Sequence, residues 1–282
     1  MQKLPQENSF SKNNIRLSII IPSYKDPYSQ KTIKSLLDGS ELGDQLEIIQ
    51  VFDGYWPDFE LTQDPRVRYV HIGKNGGMRR SINAGVSIAR GEFLMRTDEH
   101  CAFDKGFDKK MTDACRPDWI MSAIQYALDP VKWEVMKEVE PTIYQKLVIQ
   151  GKDGEVQKFS GQRWRSRDKA NAHKMIDQTM AMQGSCWVMP HAWWDKVIGE
   201  LQTEGYGPAY QDSTEMIFKT WQAGGKMVLN KNTWFAHKHR SFNRTHNEGT
   251  KENPWIREQS WKYALDTWRD YYENKVRKVW GI

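Results

Sequence analysis

Cysteine is scarce in this 282-residue sequence: Cys101, Cys115 and Cys186 are the three present, and no two form a CxxC pair. That spacing argues against a disulfide framework or a zinc ribbon and predicts a reducing, cytoplasmic compartment. Long apolar runs are missing too. The longest near the start, Ile19-Ile20-Ile21, stops at Pro22, far short of the roughly 20 residues a membrane span needs. The opening MQKLPQENSF holds no signal-peptide h-region. Neither sign of charge dominates, since 41 Lys+Arg stand against 36 Asp+Glu for a net +5. This mild excess leans towards anionic partners, such as nucleotides, nucleic acid or a membrane surface, without choosing among them. Aromatic residues are plentiful instead. With 13 Trp, 11 Tyr and 10 Phe, the chain is expected to fold around a real core.

Residues 1–14 are polar and read as a flexible arm. From Arg16 onwards, strand-like and helix-like runs alternate. LSIII (17–21) is an unbroken β-branched run, as expected of a strand buried on both faces. A helix over 28–37, the strand EIIQVF (47–52), a turn at Asp53-Gly54 and the strand VRYVHI (67–72) follow. A Gly-rich turn with a helix (75–89) and the strand EFLMR (92–96) continue the alternation. The pattern predicts an α/β fold with a mainly parallel central sheet and flanking helices. The stretch 125–175 reads as charged and irregular, with a turn at 151–154. A strand and helix return at MAMQGSCWVMP (180–190), then a helix over 212–223 and a strand over 227–229. Asn253-Pro254 suits an N-cap and first helical residue. Trp261, Leu265, Trp268, Tyr272, Val276 and Val279 then recur at spacings of three and four, predicting an amphipathic helix.

The sharpest local feature is Arg96-Thr97-Asp98-Glu99-His100-Cys101. Alternation directs Asp98 and His100 to one side, where a carboxylate and an imidazole can meet one ion. Such a pair suits Mn²⁺ or a similar divalent cation, with polar residues in a strand-end loop as the plainer alternative. Open parallel sheets bind ligands beyond the carboxyl ends of their strands. Pro22-Ser23-Tyr24, Asp53, Asn75-Gly76-Gly77 and Asp98-x-His100 all fall at such ends, so one ligand could touch all four. Asp53 is suited to accept hydrogen bonds from a base or ribose. Gly76 and Gly77 permit close backbone approach, and Arg79 and Arg80 offer charge to phosphate. A simple turn at Asp53-Gly54 and a solvated arginine face are the competing readings.

These residues resemble the GT-A-fold glycosyltransferases of the broad family 2 type. LSIIIPSYKD looks like their first nucleotide-binding strand, EIIQVFDG like the strand ending in a base-contacting acid, and NGGMRRSINAGVSIARGE like their N-x-G-x(3)-small-x-N-x-G segment. TDEHC stands where the metal-binding triplet stands. DEHCAFDKGF, MQGSCWVMPHAWWDKV and DSTEMIFKTWQAGGKM are more closely similar to polypeptide N-acetylgalactosaminyltransferases. The resemblance, covering 16–240, implies a GT-A catalytic domain over 15–240, with a C-terminal loop and helix (241–282) packed on it. It implies Mn²⁺ (or Mg²⁺) held by Asp98, His100 and His237, with His239 competing for the third place. It also implies a nucleotide-sugar donor, a UDP-sugar, contacted by Pro22, Ser23, Tyr24, Asp53, Gly77, Arg80, Asn83, Asp98, Gly184 and Arg240.

Asp212 and Glu215 lie one helical turn apart and are expected to border the sugar as catalytic residues, a Glu215–Lys219 salt bridge being the alternative. Aligned on Glu215, the sequence places Ser213 where inverting enzymes carry their base, which leans towards retention. A shift of one residue makes Asp212 an inverting base. Eukaryotic relatives carry a membrane anchor and a lectin module that are not recognisable here, so the acceptor is not carried over. A glycan, a protein hydroxyl or a hydroxylated DNA base remain. The basic, aromatic stretches 158–174 and 237–246 are candidate acceptor surfaces, the second also a loop closing over donor phosphates. Peripheral membrane contact through the last helix is the alternative to its packing on the domain. Two rivals are a nucleotidyltransferase, whose phosphate loop IPSYKDP does not resemble, and a non-catalytic nucleic-acid-binding protein.

Overall fold

The computed structural model describes residues 14–151, 156–239 and 255–282. In chain order its first half runs β1 (Leu17–Ser23), α1 (Ser29–Gly39), β2 (Leu46–Asp53), β3 (Val67–Ile72), α2 (Met78–Ser87), β4 (Phe93–Thr97), β5 (Cys101–Phe103), α3 (Phe107–Ala114) and β6 (Trp119–Asp129). The second half runs β7 (Glu134–Val135), β8 (Gln145–Gln150), β9 (Lys158–Arg163), α4 (Arg165–Ala170), β10 (Ile176–Gln178) and β11 (Cys186–Pro190). It closes with the single turn α5 (His191–Trp193), α6 (Asp212–Gln222), β12 (Lys226–His237), α7 (Trp255–Tyr271) and α8 (Arg277–Trp280).

Every residue of β1 and β2 is buried, because unbroken β-branched runs are stable only with a layer on each face. The main sheet has the order β10-β12-β6-β11-β4-β1-β2-β3. Its β4-β1-β2-β3 half is parallel throughout. Leu17, Ile19 and Ile21 face α1 through Ile33 and Leu36, while Ile20 faces α2 through Ile82 and Val86. That division follows from the two-residue side-chain period. Gly85 lets α2 approach closely: a Cβ there would lie 2.5 Å from Ile20 Cγ2.

The other half is mixed. β11 runs antiparallel to β4 and β6, so its amino end lies beside the carboxyl end of β4, at the same sheet edge as the carboxyl end of β1. β12 is longer than the expected three-residue strand, because its Asn230-Lys231-Asn232 segment is absorbed in a register shift rather than ending it. Asn230 Nδ2 secures the irregularity by donating to the Lys110 carbonyl at 2.9 Å. The stretch expected to be irregular holds the antiparallel hairpin β8–β9. Leu147 and Phe159 turn inwards there among mostly polar neighbours, of which Gln150, Gly161, Gln162 and Arg163 face outwards, and this mixture hides the period. The 152–155 part of the expected turn lies outside the described residues.

α7 continues through a π-helical turn (Tyr272–Val276) into α8. Leu265, Trp268, Tyr272 and Val276 are buried as the spacing predicts. Trp268 stacks on Phe218 at 5.1 Å, and Tyr272 Oη donates to the Leu147 carbonyl at 2.7 Å. The stripe fails at both ends: Val279 is 80% exposed, and Trp261 is half-buried beside a cavity. Asn253-Pro254 and the loop 241–254 lie outside the described residues. Among those described, no helix is long and apolar enough to cross a membrane.

Candidate active site and metal centre

The end of β4 and the turn into β5 carry Asp98 and His100. β12 pairs antiparallel with β5, setting His237 opposite Cys101 and bringing in a side chain 139 residues from Asp98. His237 Nε2 lies 3.1 Å from Asp98 Oδ2, and His100 Nε2 lies 3.8 Å from the same oxygen. One ligand atom from each of the three residues falls within 4.8 Å of the others. His239, the competing candidate, is exposed, its ring edge-on to His237.

Two buried residues that sequence reasoning missed hold this group in place. Asp26 is fully buried in the loop after β1. Its Oδ2 lies 2.9 Å from His100 Nδ1, while its Oδ1 accepts the Tyr28 backbone N–H at 2.7 Å. The carboxylate assigns the imidazole proton to Nδ1 and leaves a lone pair on Nε2, which is buried without a hydrogen-bond partner. Arg96 lies buried beneath Asp98 and donates to its Oδ1 at 2.6 Å and to the Gly184 carbonyl. Its signal was present: Arg96, Asp98 and His100 share the same alternation.

Burial alone would raise the Asp98 pKa, but Arg96, with the neighbouring imidazoles, holds it well below the ordinary carboxylate value. Burial favours neutral His237 and pushes its pKa down, against the opposing pull of Asp98. An ionised carboxylate, a neutral imidazole and an orphaned imidazole nitrogen are the donor set that a divalent cation such as Mn²⁺ accepts. The residues present fit the ion.

A cleft of about 330 Å³ beside Asp98 is lined by Arg96, Gly184, Tyr210, Gln211, Asp212 and Ser213, among others. Asp212 opens α6, and its Oδ2 is buried with no partner. Tyr210 and Gln211 just before it have φ of 68° and 53°, a left-handed conformation that is strained for such side chains. Asp98, Gly184 and Asp212 therefore share one cleft.

Ser23, Tyr24 and Asp53 lie along the same sheet edge, since β1 and β2 are in register up to Ser23 and Phe52. Pro22 is buried within β1. Ser23 Oγ donates to Glu99 and accepts from Gln50 Nε2, and the Tyr24 N–H donates to Glu99 at 3.1 Å. Both oxygens of Asp53 accept backbone N–H groups, from Gly76 and Gly77, at 2.7 Å each, so its carboxylate ties down the turn before α2.

Other expected site residues are placed elsewhere. Glu215 is buried in ion pairs with Arg79 and with Lys219, the latter at 2.8 Å, and does not line the cleft. The i,i+4 alternative holds, because α6 turns Glu215 inwards to the fully buried Arg79 rather than towards Asp98. Arg79, occupied by Glu215, also donates to the Tyr210 carbonyl and is not free to meet phosphate. Arg80 and Asn83 line a different cavity, with Glu200 and His191. Asn83 there exchanges two 2.9 Å hydrogen bonds with the Leu201 backbone, because α2 turns it away from the sheet edge. Gly77 makes its close approach to Pro208, where a Cβ would lie 2.4 Å away, and not to an open ligand space. Arg240 and Arg244 lie outside the described residues. Three arginines of the basic stretch 158–174 are engaged in ion pairs: Arg163 and Arg165 share Glu140, and Arg167 pairs with Asp177.

Comparison with known proteins places the chain in a family. The chain is 24% identical to mouse (Mus musculus) polypeptide N-acetylgalactosaminyltransferase 12 over 247 residues, 79% of this chain and 40% of that protein. Its fold matches the crystal structure of GalNAc-T7 with UDP, GalNAc and Mn²⁺ at a TM-score of 0.66 and 13% identity, over 92% of this chain and 50% of that one. The chain thus spans half or less of the length of these relatives. The match shows the GT-A fold. Residues 18–189, more than half of the sequence, match the model for "Glycosyl transferase family 2", and by that match the chain belongs to glycosyl transferase family 2.

Proposed function

We propose that the chain moves a sugar from a UDP-sugar to an acceptor hydroxyl, using Mn²⁺ (Mg²⁺ is the alternative ion) held by Asp98, His100 and His237. The observation that carries this reading is the convergence of these three side chains around the unpartnered His100 Nε2. Family membership supports the reaction class, and the solved GalNAc-T7 carries UDP, GalNAc and Mn²⁺. A bound divalent ion supplies Lewis-acid neutralisation of charge on a diphosphate.

The protein's own part is preorganisation. Arg96 keeps Asp98 ionised and aimed, and Asp26 fixes the His100 tautomer. Tyr24 and Asp53 stand at the sheet edge on the donor side, and Gly184 and Asp212 stand where the sugar would lie. Transfer proceeds with retention. The acceptor oxygen bonds to the anomeric carbon as the bond to the diphosphate breaks, and the hydroxyl proton passes to the departing phosphate. Asp212 stabilises positive charge on the sugar ring. A second reading has support from the same atom: the bare Asp212 Oδ2 suits a general base, which would invert the anomer. The anomer of the product, read by NMR, separates the two. The two buried free thiols, Cys101 and Cys186, support work in a reducing compartment, the cytoplasm. The burial of Ser260, Ala264, Leu265 and Trp268 along α7 supports a catalytic domain over 15–240 with the C-terminal helix packed on it.

The test is release of UDP from UDP-sugars, with and without Mn²⁺. Turnover is expected to vanish in EDTA and in Asp98→Ala or His237→Ala, while undiminished turnover in EDTA refutes the metal assignment.

A further inference from the structure

A second chamber, about 440 Å³ in volume, adjoins the metal cleft and shares Gly184, Tyr210, Gln211 and Ser213 with it. Its size falls within the usual range for small-molecule sites, about 300–1,000 Å³. The β8–β9 hairpin, the start of α6 and the first turns of α7 form its walls. Phe159, Met182 and Ile217 make an apolar floor.

Three of its polar atoms lack a partner. Gln145 is 3% exposed, yet its Oε1 meets no donor. Gln211 donates through Nε2 to the Phe159 carbonyl at 3.2 Å and leaves its Oε1 unpaired. Arg257 Nε is likewise buried and unpaired. Two bare amide oxygens ask for hydroxyl or N–H donors.

The charge on the walls is of one sign. Lys158 Nζ lies 4.5 Å from the Trp261 ring centre and the Arg257 guanidinium 5.0 Å from it. One indole therefore gathers two cations. No Asp or Glu lines the chamber among the described residues, and such a one-signed pocket draws an anion. Arg163, Arg165 and Arg167, which a nucleic-acid backbone would also need, are engaged with Glu140 and Asp177.

We propose that this chamber is the acceptor subsite and that it takes an acidic saccharide. The saccharide's hydroxyls donate to Gln145 and Gln211, and its carboxylate meets Lys158 and Arg257. This rests on the transfer reaction proposed above: Gly184 is the common wall across which an acceptor hydroxyl reaches the sugar. The acceptor's O–H proton leaves with the nucleoside diphosphate as the new glycosidic bond forms, so no further reactant is needed.

The test is calorimetric titration of the full chain with p-nitrophenyl β-glucuronide and with its uncharged congener, p-nitrophenyl β-glucoside. The glucuronide is expected to bind at least tenfold more tightly. Lys158→Gln or Arg257→Gln should erase that preference, and Lys158→Arg should keep it. Equal affinities overturn the proposal, as does a preference that survives both glutamine variants. Tighter binding of a threonine peptide or a hydroxymethylated oligonucleotide than of the glucuronide overturns it too. UDP titrated with Mn²⁺ in a separate experiment tests the donor reading, so failure of either assignment shows without the other.

Discussion

Replacing Asp26 by Asn tests whether the buried acid behind His100 tunes the metal centre. The substitution keeps size and retains Oδ1 for the Tyr28 N–H, bonded at 2.7 Å, but removes the charge that faces His100 Nδ1 across 2.9 Å. Loss of such an outer partner typically weakens metal binding 10–100-fold, about 1.4–2.7 kcal/mol. Asp26 and His100 are exposed by 0% and 1%, so water has no route to take over the lost role, and the effect belongs in the upper half of that range. The assay is the electron paramagnetic resonance signal of free Mn²⁺ in a titration with UDP saturating, with melting by circular dichroism as the fold control. A Kd within twofold of wild type, in a variant that melts normally, refutes the argument.

Asp212 and Glu215, one turn apart on α6, should separate cleanly. Asp212→Asn is expected to leave Tm nearly unchanged and to lower kcat by about 10²-fold or more. Glu215→Gln strands the buried Arg79 and should cost about 3–5 kcal/mol in denaturant unfolding; equal behaviour of the two variants would contradict their assigned places. Glu47, buried at the base of β2, accepts from the buried Ser18 hydroxyl and from the exposed Arg90 guanidinium. Burial would raise its pKa, but those hydrogen bonds and the Arg90 charge bring it below the ordinary 4.5. With the folded value depressed, its contribution is fully present above pH 4.5 and fades as pH falls through the folded value. Glu47→Gln should therefore be less stable near neutrality, by about 1–3 kcal/mol, and the gap should narrow in acid melts. Gly85→Ala forces a methyl against Ile20 and should lower stability by about 1–3 kcal/mol, read as a fall in the urea midpoint.

Much of the frame was legible because its signals were local. The apolar runs of β1 and β2 announce doubly covered strands, and the period-2 spacing of Asp98 and His100 announces a shared side. Arg96 obeys the same period, but a lone arginine at a strand end looks like a stop. Asp26 stands before Pro27 and reads as turn punctuation; only the long-range meeting with His100 gives it a task. Glu215 and Asn83 were misplaced for the opposite reason. Their motif neighbours suggested ligand contact, while the direction in which a helix turns each side chain depends on partners such as Arg79 and the Leu201 backbone, more than a hundred positions from Glu215 and Asn83 respectively. The β8–β9 hairpin was hidden because one polar face dilutes its alternation, and β12 was cut short by an Asn-Lys-Asn segment that looks like a turn.

The register of β12 against β5 also bears on how the chain closes. An ion bridging Asp98 and His237 would staple two points 139 residues apart, much as a covalent crosslink would. The entropy withheld from an open chain by such a tie grows with the logarithm of the span. Loading the centre would thereby clasp the last strand to the first half of the sheet, making the reaction centre a fastener for the tertiary structure as well.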